Sequence, residues 1–145
     1  MLRIFQHQVE QEFFHFYPIP TAKDIGIFYT NLANSKRRKA MRFTSFLENG
    51  RLTVALTGEI DHHCAKQYIQ AIAAKIEAYI PEYCILDFRD VTFVDSSGIA
   101  VVINALRSMA QIEGKLILTG ISPQPMRVFR ASGIDKLVEM KEAVS

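Results

Sequence analysis

A carboxylate, two hydroxyls and a glycine follow one another at Asp95-Ser96-Ser97-Gly98, between two apolar runs. The stretch from 84 to 102 reads CILDFRDVTFVDSSGIAVV, so a strand leads through a short loop into a helix. The first turn of a helix has unpaired N–H groups and a partial positive charge. A serine placed there can carry a phosphate, because those groups favour the added negative charge. Ser96 and Ser97 are the candidate hydroxyls, and Asp95 is the candidate orienting carboxylate. Capping accounts for the same residues more simply. Asp and Ser oxygens accept from the first helical N–H groups, and Gly98 permits close strand–helix packing.

Glu59, Asp61, His62 and His63 form a second group and invite a metal reading. Adjacent histidines at a helix start are expected to diverge, which makes them poor joint ligands for one ion. Asp61 as an N-cap explains the pattern without a metal. Neither metal nor cofactor is expected. The chain has no G-x-S-x-G elbow, no P-loop and no dinucleotide glycine pattern. No motif marks His7, His15, His62 or His63 as a base, so an enzyme is not expected. Cys64 and Cys84 lack metal-type spacing and read as packed, free thiols of a reducing cytoplasm.

These residues need a scaffold. Residues 43–48 and 51–57 are strand-like and flank Asn49-Gly50, a strong hairpin signal. Leu52, Val54 and Leu56 alternate, as a strand with one buried face requires. Asp61 caps a helix running to about Tyr79, with Ala65, Ile69, Ile72, Ile76 and Ile80 as its apolar stripe and Pro81 as its stop. Residues 84–88 form a buried strand. A second helix spans about 97–112 with Gly114 as its C-terminal stop. A strand at 115–119 follows. Ser122-Pro123 then starts a third helix that Gly133 ends, before a last strand at 137–140. This alternation predicts an α/β domain with a mostly parallel sheet, right-handed crossovers and an antiparallel edge hairpin.

The chain has 145 residues, 49% apolar and 22% charged, which fits one domain with a real core. No apolar run approaches the roughly 18 residues of a membrane span, and the N-terminus lacks the pattern of a secretory signal. The net charge of +2 is uneven. Residues 1–40 carry six Lys/Arg against three Asp/Glu, and residues 41–145 carry eleven against twelve. The excess comes from Lys36-Arg37-Arg38-Lys39, read as a solvated linker rather than a nucleic-acid or membrane contact. Residues 1–40 are an aromatic-rich extension broken by Pro18 and Pro20, with short helices expected at 2–16 and 24–33. Three readings of this extension stay open: an appendage that packs on the domain or a partner, a disordered leader, or a start assigned upstream of Met41.

From Met41 onward the chain resembles bacterial anti-sigma factor antagonists, which share the STAS fold with cytoplasmic domains of sulfate transporters. Four segments carry the resemblance: Leu56-Thr-Gly-Glu-Ile-Asp-His-His63, Val94-Asp-Ser-Ser-Gly98, Gly114-Lys-Leu-Ile-Leu118, and Ile121-Ser-Pro123 with Ser132-Gly-Ile134. The first of them is most similar to the sporulation antagonist of sigma-F. The resemblance implies a STAS-like single domain at 41–145. It also implies a partner-switching protein. The unphosphorylated form binds an anti-sigma factor that is also a serine kinase, and the sigma factor is released. Phosphorylation of Ser96 ends that interaction, and a serine phosphatase reverses it. The same resemblance implies Glu59, Asp61, His62 and His63 as partner-binding residues near the phosphosite loop of Asp95, Ser97 and Gly98. No direct nucleic-acid or membrane contact is expected, the location is cytoplasmic, and the state is monomer or weak dimer. A STAS interaction module of another signalling scaffold, or of a general-stress switching system, is the alternative. Family members often continue into a further amphipathic helix after the last strand. Only its first turn has room before Ser145, and residues 1–40 are candidates to cover the apolar surface this leaves.

Overall fold

Asn49 and Gly50 both adopt positive φ, 52° and 76°, and so form a tight primed turn. That turn pairs two antiparallel strands, β2 (Arg42–Glu48) and β3 (Arg51–Ile60), with Glu48 opposite Arg51. The protein's structure is a computed structural model that describes residues 24–27 and 42–144. A short strand β1 (Asp24–Ile27) pairs antiparallel with β2. The helix expected over 24–33 is therefore wrong at 24–27: pairing with the free edge of β2 overrides local helical spacing. The helix expected at 2–16 and the basic run at 36–39 lie outside the described residues.

The remaining elements alternate: helix α1 (Ala65–Tyr79), β4 (Tyr83–Val94), helix α2 (Ser96–Gln111), β5 (Lys115–Ile121), helix α3 (Pro123–Ser132), a 3₁₀ turn (Ile134–Lys136) and β6 (Glu139–Glu142). The strands lie in chain order, β1-β2-β3-β4-β5-β6. The pairings from β3 to β6 are parallel. This is the mixed α/β sheet with an antiparallel edge that the alternation predicts. Its three crossovers all step in the same direction. With a common right-handed sense they place the three helices on one face.

Alternation within the strands supplies the core beneath those helices. Leu52, Val54, Leu56, Cys84, Leu86, Phe88 and Leu118 are fully buried. From the helices Ile72, Ile76, Val101, Met109 and Phe129 fill the same layer. The Phe88 and Phe129 rings meet edge to face, 5.3 Å between centroids. Tyr68 is also buried. Its hydroxyl lies 3.1 Å from the Arg42 carbonyl and 3.2 Å from the Thr57 carbonyl, which pins α1 to β2 and β3.

Several boundaries differ from the sequence reading. The strand expected at 84–88 is β4, which runs on to Val94 through its two slips, and the last strand lies at Glu139–Glu142 rather than 137–140, because the 3₁₀ turn occupies Ile134–Lys136. The first helix starts at Ala65, not at Asp61. Ile80 is not part of its buried stripe: it is exposed and left-handed at φ 45°, the last residue before Pro81. At the end of α2 the left-handed residue is Glu113, φ 58°. Gly114 serves a different purpose, because a side chain there would lie 3.0 Å from the Pro81 and Glu82 carbonyls.

Candidate functional site

The ladder between β3 and β4 is regular as far as Ala55 and Asp87, and then slips twice. Thr57 pairs with Asp90 and Glu59 with Phe93, so β4 carries one extra residue at each slip. Gly58, at φ 88°, sits between the two irregularities, a backbone position that suits glycine. Bulges re-aim the strand that carries them and occur often beside functional sites. Pairing then resumes at Ile60 with Val94, and the Asp95 N–H donates to the Ile60 carbonyl at 3.2 Å. The structure thus sets the Glu59-to-Asp61 segment directly beside the loop that leads into α2.

Asp95 is the N-cap of α2. Its backbone is extended, and its Oδ1 accepts from the Ser97 N–H at 2.7 Å. Its carbonyl also accepts from the Gly98 N–H at 3.0 Å. Ser97, expected to be a cap, is instead the residue whose N–H is capped. Ser96 is the first helical residue and is exposed, whereas Ser97 is half-buried. Gly98 is buried. A Cβ there would fall 2.1 Å from Val94 Cγ1 and 3.6 Å from Ile60 Cγ2, so only glycine lets α2 rest on these two strands.

The second motif forms a compact turn. Asp61 Oδ1 accepts from the His63 and Cys64 N–H groups at 2.9 and 3.3 Å, and its carbonyl accepts from Cys64 and Ala65. Asp61 therefore caps a turn ahead of α1 rather than the helix itself. Burial pushes its carboxyl up. The His63 and Cys64 hydrogen bonds and the His63 charge outweigh this and hold it below the ordinary carboxylate value. His62 and His63 do not diverge as expected. Their rings lie together, 3.9 Å between centroids and tilted by 39°. Among the described residues no group of three His, Cys, Asp or Glu could hold a metal ion. Cys64 is half-buried, packs against the core and donates its thiol to the Glu59 carbonyl at 3.3 Å. Burial pushes that thiol up, which makes it a packing group rather than a nucleophile.

One positioning residue has no signal in the sequence. Gln124, in the first turn of α3, takes both backbone groups of Val94. Its Oε1 accepts from the Val94 N–H and its Nε2 donates to the Val94 carbonyl, each at 2.9 Å. β5 pairs with β4 only as far as Asp87, so this amide takes the place of the missing strand next to the loop. The Ser122 hydroxyl donates to the Val91 carbonyl at 3.4 Å and extends the same support.

Residues 46–145 match the family model described as STAS domain. The chain belongs to the STAS domain family. Relatives named as anti-sigma factor antagonists match it along most of their length. An anti-sigma F factor antagonist of Lysinibacillus sphaericus is 32% identical, over 57% of this chain and 71% of that protein. An anti-sigma-B factor antagonist of Listeria monocytogenes is 30% identical, over 62% and 78%. Among solved structures, the phosphorylated form of the Bacillus cell fate determinant SpoIIAA is similar at 29% identity and a TM-score of 0.57, over 71% of this chain and 92% of that one. This chain thus belongs to the anti-sigma factor antagonist (STAS) family and has its fold. None of its described helices is long and apolar enough to cross a membrane.

Proposed function

We propose that this STAS protein is a partner switch whose state is written on Ser96. Unphosphorylated, it binds an anti-sigma factor with serine kinase activity, and the sigma factor is released. The kinase then transfers the γ-phosphoryl group of ATP to the Ser96 oxygen. The new O–P bond forms as the bond to ADP breaks, and a kinase base takes the hydroxyl proton. A serine phosphatase restores the starting form. The supporting observation is the contrast at the head of α2. Ser96 is exposed on a rigid turn, while Ser97 is half-buried with its N–H held by Asp95. A relative solved in a phosphorylated form supports the same reading.

The physical chemistry suits this role. Phosphorylation adds roughly 1.5 to 2 negative charges, which the helix start tolerates, so the fold survives. In a docked interface the same charge is desolvated beside Asp95 and clashes with a surface shaped for a hydroxyl. About 1.4 kcal/mol suffices for each tenfold loss of affinity. Glu59, Asp61, His62 and His63 belong to the binding surface, since β3 carries them to the edge of the loop. No catalytic role is assigned to any residue of this chain, which acts as a binding module in the cytoplasm, as a monomer or weak dimer. A sporulation role follows from the sigma-F relative. The Listeria relative supports a second reading, a general-stress switch of the same chemistry.

The test is intact and peptide mass after incubation with the anti-sigma kinase of the same genome and Mg-ATP, with Ser96→Ala in parallel. One added phosphate on Ser96, absent from the variant, is expected. Binding without phosphate leaves a module that lacks this switch. Absence of both overturns the partner assignment. A large solution mass would favour a scaffold subunit instead.

A further inference from the structure

We propose that Phe93 is the apolar anchor through which this chain docks its anti-sigma kinase, an assignment that rests on the function proposed above. Among the described residues, three strand residues expose large apolar side chains: Phe46, Leu47 and Phe93. Phe46 pairs with Thr53 and Leu47 with Leu52, so both lie near the start of β3, away from the loop. Phe93 lies at the opposite end, where the parallel strands finish, which is where α/β sheets place their binding sites.

The bulges of β4 decide how this ring is presented. Val91 and Val94 are buried, while Thr92 and Phe93 between them are exposed. Phe93 pairs with Glu59, and the residue is 42% exposed. Residues paired across a ladder share a face, so Phe93 stands with Glu59 on the side away from the buried Ile60 and Val94. The fold therefore does not use the full area of this ring. An isolated exposed phenylalanine is ordinary on a protein surface. This one is set apart by its distance from the phosphosite. Three residues span at most about 11 Å of chain between Phe93 and Ser96. A standard interface buries about 800 Å² per partner, a disc of roughly 16 Å radius. A protein that brings a γ-phosphate to Ser96 through an interface of this size centred there reaches the strand position of Phe93. Aromatic side chains desolvated inside an interface supply a large share of its affinity.

The partner surface this calls for is an apolar pocket within about 11 Å of the γ-phosphate site of the kinase. Such a contact acts in the ground state of the complex, before any phosphoryl transfer. Its loss raises KM and leaves kcat nearly unchanged.

The experiment measures Kd, KM and kcat of the anti-sigma kinase of the same genome against four proteins: wild type, Phe93→Ala, Phe93→Gln and Phe46→Ala. Phe46 is 38% exposed and is the matched control at the far end of the sheet. The expected result is a loss of affinity of tenfold or more for both Phe93 variants, with kcat within twofold and thermal midpoints kept. Phe46→Ala should bind as wild type does. Phe93→Gln retains bulk and keeps the test informative where the alanine variant fails to fold. Phe93 variants that bind within twofold of wild type overturn the anchor while leaving the switch intact. An equal loss in Phe46→Ala overturns it as well, because the effect is then not local. Wild type that fails to bind overturns the proposed function and the anchor together.

Discussion

Where β3 and β4 begin, the backbone is tied into one piece; where they finish, the ladder slips twice and a side chain closes it. At the first end the Gly50 carbonyl accepts from Glu82 and Tyr83 at 2.8 and 3.2 Å, and the Glu82 carbonyl accepts from Lys115 at 2.9 Å. Cations there lie over rings: Arg51 is 5.4 Å from the Tyr83 centroid, and Lys75 is 5.8 Å from that of Tyr79. At the second end Glu59 and Asp90 are exposed, Asp95 is half-buried, and Gln124 stands in for a strand. Strands joined by regular pairing leave no backbone group to aim at a partner. A ladder broken at defined points projects a loop while the core beneath it stays closed. The contrast teaches that the end carrying the proposed site is irregular in its main chain and not in its packing.

The largest expected effect tests how fully the first end is closed. Lys75, on the last turns of α1, is 3% exposed, and burial holds its ammonium down to about 8 against an ordinary 10.5. The charged form is the one the fold disfavours. Between those two values the unfolded chain binds more protons at this group, so the Lys75 contribution to stability rises with pH. From pH 7 to above 10.5 it gains at most about 3 kcal/mol. Above pH 9 the buried Cys84 thiol and Tyr68 hydroxyl, both pushed up by burial, act in the opposite direction. The gain is therefore read as the difference between wild type and Lys75→Met in urea unfolding across this range, where the opposing groups cancel. A profile of the same slope in the variant would mean that the far end is wetter than its burial indicates.

A smaller effect belongs to the site. Gly98→Ala forces its new Cβ against the stiff, buried Val94 side chain, at a cost of about 2 kcal/mol. A second change, Val94→Ala, should recover part of that loss. Two independent costs that simply add would show that α2 shifts without pressing on β4. Next comes Gln124→Ala, which removes both hydrogen bonds to Val94 and should cost about 1.5 kcal/mol. Hydrogen exchange of the Val94 amide should speed up while that of Leu86 does not. Equal acceleration at both would mean that β4 opens as a unit and that its two ends are not distinct.

The sheet and its buried layer were legible because alternation, the Asn49-Gly50 turn and the proline and glycine stops are all local signals. Leu52, Val54 and Leu56 follow the expected face without exception. The loop at Asp95 was legible for the same reason, since a cap is specified by the few residues around it. Four things were not. The strand at 24–27 depends on an edge supplied by β2, which no local window contains. The Val94–Gln124 bond joins residues thirty positions apart. The slips between β3 and β4 arise from the pairing of two segments, each of which reads as an ordinary strand alone. The stacking of His62 on His63 depends on a turn that Asp61 holds before the helix begins, whereas the sequence places the helix at Asp61 itself.

The smallest effect has the opposite sign and probes what the rigid end costs. Ile80 holds φ 45° and ψ 58° while its N–H donates to the Ile76 carbonyl at 2.8 Å. A β-branched residue adopts this region only under strain, of order 1 kcal/mol or more. Pro81 adds to the strain by disfavouring such a conformation before it. Nothing in the proposed switch involves this position. Glycine reaches the same backbone angles freely, although it adds disorder to the unfolded chain and loses the buried part of the isoleucine. The balance should leave Ile80→Gly more stable by about 0.5 to 1 kcal/mol, seen as a rise of a few degrees in thermal midpoint. Affinity for the anti-sigma kinase should not change, because the strain sits at the end of the sheet away from Ser96. A stabilised variant with weakened binding would show that the two ends are mechanically coupled, and that the far end sets the geometry of the loop.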